Sequence, residues 1–321
     1  MFCPQPFEQI EIYENGDVYT CCPNFINFFS IGNIYHQCFD EIWNGEKALN
    51  FRKKILSGDF SLCSNNCNRK TCLNEQKDYL NEKVTMYPRE IAVSSDKSCN
   101  VQCKICRDKL INIKHNENNI KEEIEKYWLP IFKDAQIIRF GCTGEPFFSV
   151  KEKLMIKMVA DSYPKAKFDF HTNGILGNEV LLKELNVYSR MREITVSVHA
   201  ATEKTYNSIV NAGNYKKVLE NLNLYSKMKK NNLLHRFRLI FVVMSYNYNE
   251  MVDFANLSQE LGADVEFWAY RKNDTMLSNI YNEVSVVEKS NPSHNDLLKI
   301  LENPIFDSQN VTLYPELKNL R

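Results

Sequence analysis

The chain has 321 residues, 40 basic and 40 acidic, so its formal net charge is zero. That balance argues against a protein holding nucleic acid chiefly through bulk positive charge, and nucleic acid is not an expected partner. The length fits a domain of about 200–250 residues with a smaller module beside it. With 44% hydrophobic residues it supports a sizeable core, yet no apolar run is long enough to span a membrane. The first ten residues lack the basic flank and apolar stretch of a secretory leader, so a cytoplasmic location is expected.

In chain order, 8–13 alternates apolar and polar residues, Asn15-Gly16-Asp17 marks a turn, and 18–20 returns as a second strand of a hairpin. Residues 40–56 predict an amphipathic helix interrupted at Asn44-Gly45, with Ile42, Trp43, Leu49 and Ile55 as its apolar positions. Cys63, Cys67 and Cys72 follow in a polar stretch. A module of this kind is expected to bury little and to need a metal or a neighbouring domain.

The rhythm changes near residue 89. Strands are predicted at 90–94, 136–140, 167–171, 193–198, 237–244 and 265–269. Helices are predicted between them at 120–132, 150–159, 178–188, 215–228 and 251–261. Six β-α periods with few hairpin signals indicate α/β architecture with a parallel sheet, doubly wound or a barrel. In either case chemistry sits at the C-terminal strand ends. Residues 272–321 are less regular, with a short helix at 295–301 and an extended tail at 311–314.

Cysteine is the informative residue. There are eleven; seven fall in the first 72 residues, three at 99–106, and only Cys142 comes later. An odd, clustered set is a poor disulfide framework and points to soft-metal ligation under reducing conditions. Cys99, Cys103 and Cys106 are spaced Cys-x3-Cys-x2-Cys just after the strand predicted at 90–94. Three thiolates on a four-iron cube leave one iron open to a ligand. Zinc completed by a fourth ligand, or simply buried thiols, are the other readings of the same spacing.

With these residues the chain resembles the radical S-adenosylmethionine (radical SAM) enzymes. Their three-cysteine loop follows the first strand of a partial (β/α)6 TIM-like barrel, and an apolar or aromatic residue, here Ile105, precedes the last cysteine. The resemblance implies a [4Fe-4S] cluster with an open site on Cys99, Cys103 and Cys106. It further implies S-adenosyl-L-methionine on the open iron, reductive cleavage to a 5′-deoxyadenosyl radical, and hydrogen abstraction from a substrate. Gly141-Cys142-Thr143-Gly144-Glu145-Pro146 looks like the family's Gly-Gly-Glu-Pro segment, which meets the methionine ammonium; Thr143 replaces the first glycine. Asn173 ends the third strand as in family members. Ser197 and His199 stand where the family contacts the cofactor's carboxylate or ribose, His199 at a common aspartate position.

Cys3, Gly16-x4-Cys21, Gly32-Asn33, Glu41-Ile42-Trp43-Asn44, Arg52, Gly58, Cys63 and Cys67 resemble the SPASM module, which carries auxiliary iron–sulfur clusters and here precedes the barrel rather than following it. One auxiliary [4Fe-4S] cluster on Cys3, Cys21, Cys63 and Cys67 is expected, with Cys22 and Cys72 as alternative ligands. Structural zinc is the other reading of these thiols, and Cys38 is read as a small apolar packing residue. The expected layout is an auxiliary module at 1–82, a barrel at 83–271 and a C-terminal extension at 272–321 that packs on or near the barrel.

The resemblance implies a reducing electron donor such as flavodoxin or ferredoxin and a peptide or small-molecule substrate. The expected reaction is an oxidative modification in which the auxiliary cluster accepts an electron. The alternatives are epimerisation with Cys142 returning a hydrogen atom, a non-catalytic iron–sulfur maturation factor, and a zinc-stapled interaction protein.

Overall fold

The computed structural model describes residues 2–27, 29–64, 67, 83–84, 86–271 and 281–321. In chain order their strands are β1 (Gln9–Tyr13), β2 (Asp17–Tyr19), β3 (Gly32–Asn33), β4 (Glu90–Ser94), β5 (Gln102–Cys103) and β6 (Ile137–Phe140). Then come β7 (Lys167–Thr172), β8 (Met191–Ser197), β9 (Val210–Asn211), β10 (Arg236–Val243), β11 (Asp264–Ala269) and β12 (Val311–Leu313). The chain forms two compact units, and β7 passes from one into the other.

The first unit comprises Met1–Lys97, Ile113–Gly144 and Ser149–Phe168. Its strand order is β6-β4-β1-β2-β3. β1 and β2 form the predicted hairpin, with Glu11 opposite Tyr19 and Ile12 opposite Val18. Gly16 turns it at φ +84°, where a Cβ would lie 2.4 Å from the Tyr35 ring. β1 also pairs in parallel with β4, from Gln9 opposite Glu90 to Tyr13 opposite Ser94. A strand next to the N-terminal cysteines thus joins the sheet of the first β-α period. The alternation in 8–13 hides this, because Gln9, Ile10, Glu11 and Ile12 are all buried.

The expectation that the N-terminal module buries little is overturned. Phe2, Phe7, Tyr19, Cys21, Ile26, Phe51 and Ile55 form one buried cluster. The predicted helix is two helices, Phe39–Trp43 and Glu46–Leu56, broken at Asn44-Gly45 as expected. Arg52, fully buried, donates from Nε to the Pro6 carbonyl at 2.7 Å and lays its guanidinium 4.0 Å from the Trp43 ring centre. Aromatic stacking and a backbone acceptor replace the water it loses. In the stretch predicted as one helix at 120–132, Glu117–Glu123 is α-helical, followed by a π turn at Ile124–Trp128 and a 3-10 turn at Leu129–Asp134. Ile120, Ile124, Trp128 and Ile131 still share the buried face.

The second unit comprises Ser98–Asn112, Glu145–Phe148 and Asp169–Arg321. Its main strand order is β12-β11-β10-β8-β7, with β8, β10, β11 and β12 parallel. Phe237, Leu239, Phe241 and Val243 alternate onto the buried face of β10. The helices Tyr215–Lys230 and Met251–Leu261 cover that face through Tyr225 on Phe237 (5.9 Å) and Phe254 on Phe241 (4.8 Å). The extended tail is β12, placing Val311 opposite Val265. No helix among the described residues is long and apolar enough to cross a membrane.

Candidate functional site

The three-cysteine loop is pinned at several points within the second unit. The Cys99 N–H donates to the Ile111 carbonyl at 2.8 Å, and the Lys104 N–H to the Ile209 carbonyl at 3.0 Å. Gln102 and Cys103 pair antiparallel with Asn211 and Val210, a short ribbon that nothing in the local sequence announces. The Cys106 and Arg107 N–H groups turn back onto the Cys103 carbonyl at 3.0 and 3.2 Å. Ile105 is buried, while Cys106 on its other side is exposed. Burial, then the neighbouring Cys106 and Cys99, push the Cys103 thiol up to about 12. Burial also pushes the Cys99 thiol up, against the pull of the Val101 N–H. Burial works against the Arg107 charge, but Cys106, Cys99 and Cys103 outweigh it and hold the guanidinium more firmly protonated than usual. Arg107 was not singled out from sequence; its place directly after the last cysteine was the available signal.

Glu145 stands beside this loop. Its N–H donates to the Ser98 carbonyl at 2.8 Å. Its carboxylate, 1% exposed, accepts from Thr172 Oγ1 at 2.7 Å, the Asn173 N–H at 2.7 Å and the Phe147 N–H at 3.3 Å. Burial nevertheless raises its pKa to about 7, because those donors offset only part of the lost hydration. Asn173 joins the two parts, donating from Nδ2 to Asn100 Oδ1 at 2.9 Å and lying 3.8 Å from Cys99 Sγ. Asn221 fixes the following turn by donating to the Gly174 and Ile175 carbonyls at 2.8 and 3.0 Å.

At the end of β8, Ser197 Oγ lies 2.8 Å from His171 Nε2. His199 has φ +64°, and its Nδ1 accepts the Val242 N–H at 3.1 Å. Its neutral ring therefore carries the proton on Nε2. Burial, then the nearby His171, lowers its pKa to about 3. Asn247 locks the strained residue by donating to the His199 and Val242 carbonyls at 2.8 and 2.9 Å.

Gly141, Cys142, Thr143 and Gly144 belong to the first unit, whereas Glu145 belongs to the second. Gly141 has φ +93°. Cys142, the candidate hydrogen donor, is solvent-accessible. Protein nonetheless crowds it, and this desolvation, then Glu11, pushes its thiol up to about 12.

In the first unit Cys3, Cys22 and Cys63 pack against the buried cluster that contains Cys21. The Ser64 N–H donates to the Phe25 carbonyl at 2.8 Å, and the Cys67 N–H to the Ser64 carbonyl at 3.2 Å, turning the chain at this edge. Cys72 lies outside the described residues. Cys38, expected as an apolar packing residue, is exposed at the N-cap of Phe39–Trp43, where its N–H donates to Glu41 Oε2 at 3.2 Å. Its position before a helix-forming run outweighs its apolar character.

Residues 95–258 match the Radical SAM superfamily, and residues 3–68 match SPASM, an iron–sulfur cluster-binding domain. The chain belongs to the radical SAM superfamily. The SPASM match precedes the radical SAM match, the order read from the cysteines. No curated protein matches the chain. Solved structures to which the chain is similar include archaeal TYW1, at 15% identity over 64% of this chain and 68% of that one, TM-score 0.34. Another is anSMEcpe with bound AdoMet and the Cp18Cys peptide, at 16% identity over 70% and 62%, TM-score 0.42. A third is BtrN with AdoMet and 2-DOIA, at 21% identity over 39% and 50%, TM-score 0.25.

As a radical SAM enzyme the protein cleaves S-adenosylmethionine and abstracts hydrogen, and family membership implies S-adenosylmethionine and iron–sulfur clusters as cofactors. Among the described residues no three His, Cys, Asp or Glu side chains converge on a point that would hold a single metal ion. A four-iron cube makes a different demand, since each thiolate binds a separate iron. The loop presents three thiols on a backbone pinned at Cys99 and Lys104, with the Arg107 guanidinium beside Cys106. The residues present fit the group.

Proposed function

We propose that Cys99, Cys103 and Cys106 hold a [4Fe-4S] cluster with an open site for S-adenosyl-L-methionine, within a partial (β/α)6 barrel spanning 83–271. When bound, the cluster supplies the electron that cleaves S-adenosylmethionine to a 5′-deoxyadenosyl radical. The chain's own residues bind and orient. Glu145 is a buried carboxylate whose charge is under-compensated, so an ammonium beside it is held tightly. Gly141 and Gly144 lack a Cβ and so would let backbone approach the ligand, with Thr143 between them as part of the same cofactor segment. Asn173 ties Glu145 to the cysteine loop, and Ile105 packs that loop. Ser197 and His199 offer polar contacts to the cofactor's carboxylate or ribose, His199 as a neutral donor.

The N-terminal module at 1–82 holds one auxiliary [4Fe-4S] cluster on Cys3, Cys21, Cys63 and Cys67, with Cys22 and Cys72 as alternative ligands. The C-terminal extension at 272–321, of which 281–321 are described, packs on or near the barrel. The reaction is an oxidative modification of a peptide or small molecule, and flavodoxin or ferredoxin supplies the electron. A second reading draws on Cys142, which is accessible and held as a thiol, as an S–H donor suited to returning a hydrogen atom in an epimerisation.

The observation that carries the main reading is the pinned three-thiol loop beside the buried Glu145. Cys103→Ala is expected to abolish 5′-deoxyadenosine formation. Product from that variant, with its cluster occupancy verified, contradicts the ligand assignment.

A further inference from the structure

Asp96 lies two residues beyond β4 and is 1% exposed. Its Oδ2 is 2.7 Å from His115 Nε2 and accepts from Ser149 Oγ at 2.9 Å. With Asp96 ionised, and therefore only an acceptor, His115 Nε2 is the donor of this bond. Ser149 is itself anchored, since it caps the helix Val150–Ser162 by accepting the Glu152 N–H at 3.1 Å. Glu152 Oε1 in turn accepts the Ser95 N–H at 3.1 Å. Asp96, His115, Ser149, Glu152 and Ser95 all belong to the first unit.

Their place in the chain is what matters. The first unit is interrupted by Ser98–Asn112, which belongs to the second unit and carries Cys99, Cys103 and Cys106. Asp96 stands just before this excursion and His115 just after it. Inside the excursion a second closure runs from the Cys99 N–H to the Ile111 carbonyl at 2.8 Å. The two closures are nested in sequence, 99 with 111 and 96 with 115. Closing a loop costs conformational entropy, and a charge-assisted hydrogen bond at a buried carboxylate is among the stronger devices for offsetting it. β4 ends at Ser94, so this bond is not needed for the sheet ladder.

We propose that the bond from His115 to Asp96, anchored by Ser149, staples the two feet of the cysteine loop and holds its thiols in register before any iron is bound. Asp96 and His115 are positioning residues for the reaction centre. That consequence rests on Cys99, Cys103 and Cys106 being the cluster ligands; the staple does not.

The test is amide hydrogen exchange of the iron-free chain, read by mass spectrometry. In His115→Ala, exchange in peptides spanning 99–111 is expected to speed up about tenfold, the scale of one lost charge-assisted bond. Exchange in the helix Tyr215–Lys230 is expected to stay unchanged, and His115→Gln, which keeps a donor, restores most of the protection. In the reconstituted variant the loop cluster should bind its iron but give a broadened electron paramagnetic resonance signal with S-adenosylmethionine. Asp96→Asn serves as the second variant if His115→Ala does not fold. Unchanged exchange at 99–111 in either folded variant overturns the proposal, as does equal acceleration in Tyr215–Lys230. Loss of loop protection with no iron bound by the wild-type loop overturns the ligand assignment and leaves the staple standing.

Discussion

Glu145 offers a quantitative test. Its pKa rises from the ordinary 4.5 to about 7 because burial opposes the charge more than Thr172, Asn173 and Phe147 support it. A carboxyl whose folded pKa is raised stabilises the fold fully below pH 4.5, and that contribution is lost as pH rises through about 7. A rise of roughly 2.5 units at 1.36 kcal/mol each is about 3 kcal/mol. Glu145→Gln loses the titration and also an acceptor for the Asn173 or Thr172 donor, at a cost of about 1–3 kcal/mol that does not change with pH. Urea unfolding of the iron-free chain and the variant at pH 4 and pH 8 separates the two effects. The stability difference between them should shift by about 3 kcal/mol in favour of the variant on going from pH 4 to pH 8. Pairing the charge with the S-adenosylmethionine ammonium should reverse the penalty, so the ligand should stabilise the wild type more at pH 8 than at pH 5. Parallel stability profiles for the two chains would refute the burial argument.

His199 moves the other way. With its pKa lowered to about 3, the stability it contributes is present above about pH 6.5 and lost as pH falls toward 3; acid titration of His199→Asn, which tolerates the left-handed backbone, should lack that component. Arg52→Ala removes the bond to Pro6, the stack on Trp43 and the packing of a buried stem, and should lower unfolding stability by about 3 kcal/mol; a loss under about 1 kcal/mol contradicts the packing account. Cys63→Ala should cut bound iron by about half while the loop cluster still binds S-adenosylmethionine, and unchanged iron removes Cys63 from the ligand set.

What could be read from the sequence is what is local. The apolar run at 237–243 announces β10, and the spacing of Cys99, Cys103 and Cys106 places three thiols on one loop. What could not be read is pairing across distance. β1 aligns with β4 some eighty residues later, and its buried Gln9 and Glu11 break the pattern that would have revealed it. Arg52 stands out in the sequence only as part of the SPASM-like pattern; its burial needs Trp43 and Pro6 brought around it. His115 and Asp96 are 19 positions apart, in a stretch with no periodicity linking them. Glu145 was singled out for its motif, but its raised pKa depends on burial that only the fold supplies.

The most direct test of the central claim is anaerobic reconstitution with iron, sulfide and zinc quantified, and 5′-deoxyadenosine measured in the same preparation under a strong reductant. About eight irons per chain with formation of 5′-deoxyadenosine is the predicted result, four at the loop and four in the N-terminal module. Zinc alone with no cleavage, alongside a control enzyme that reconstitutes successfully, would contradict it.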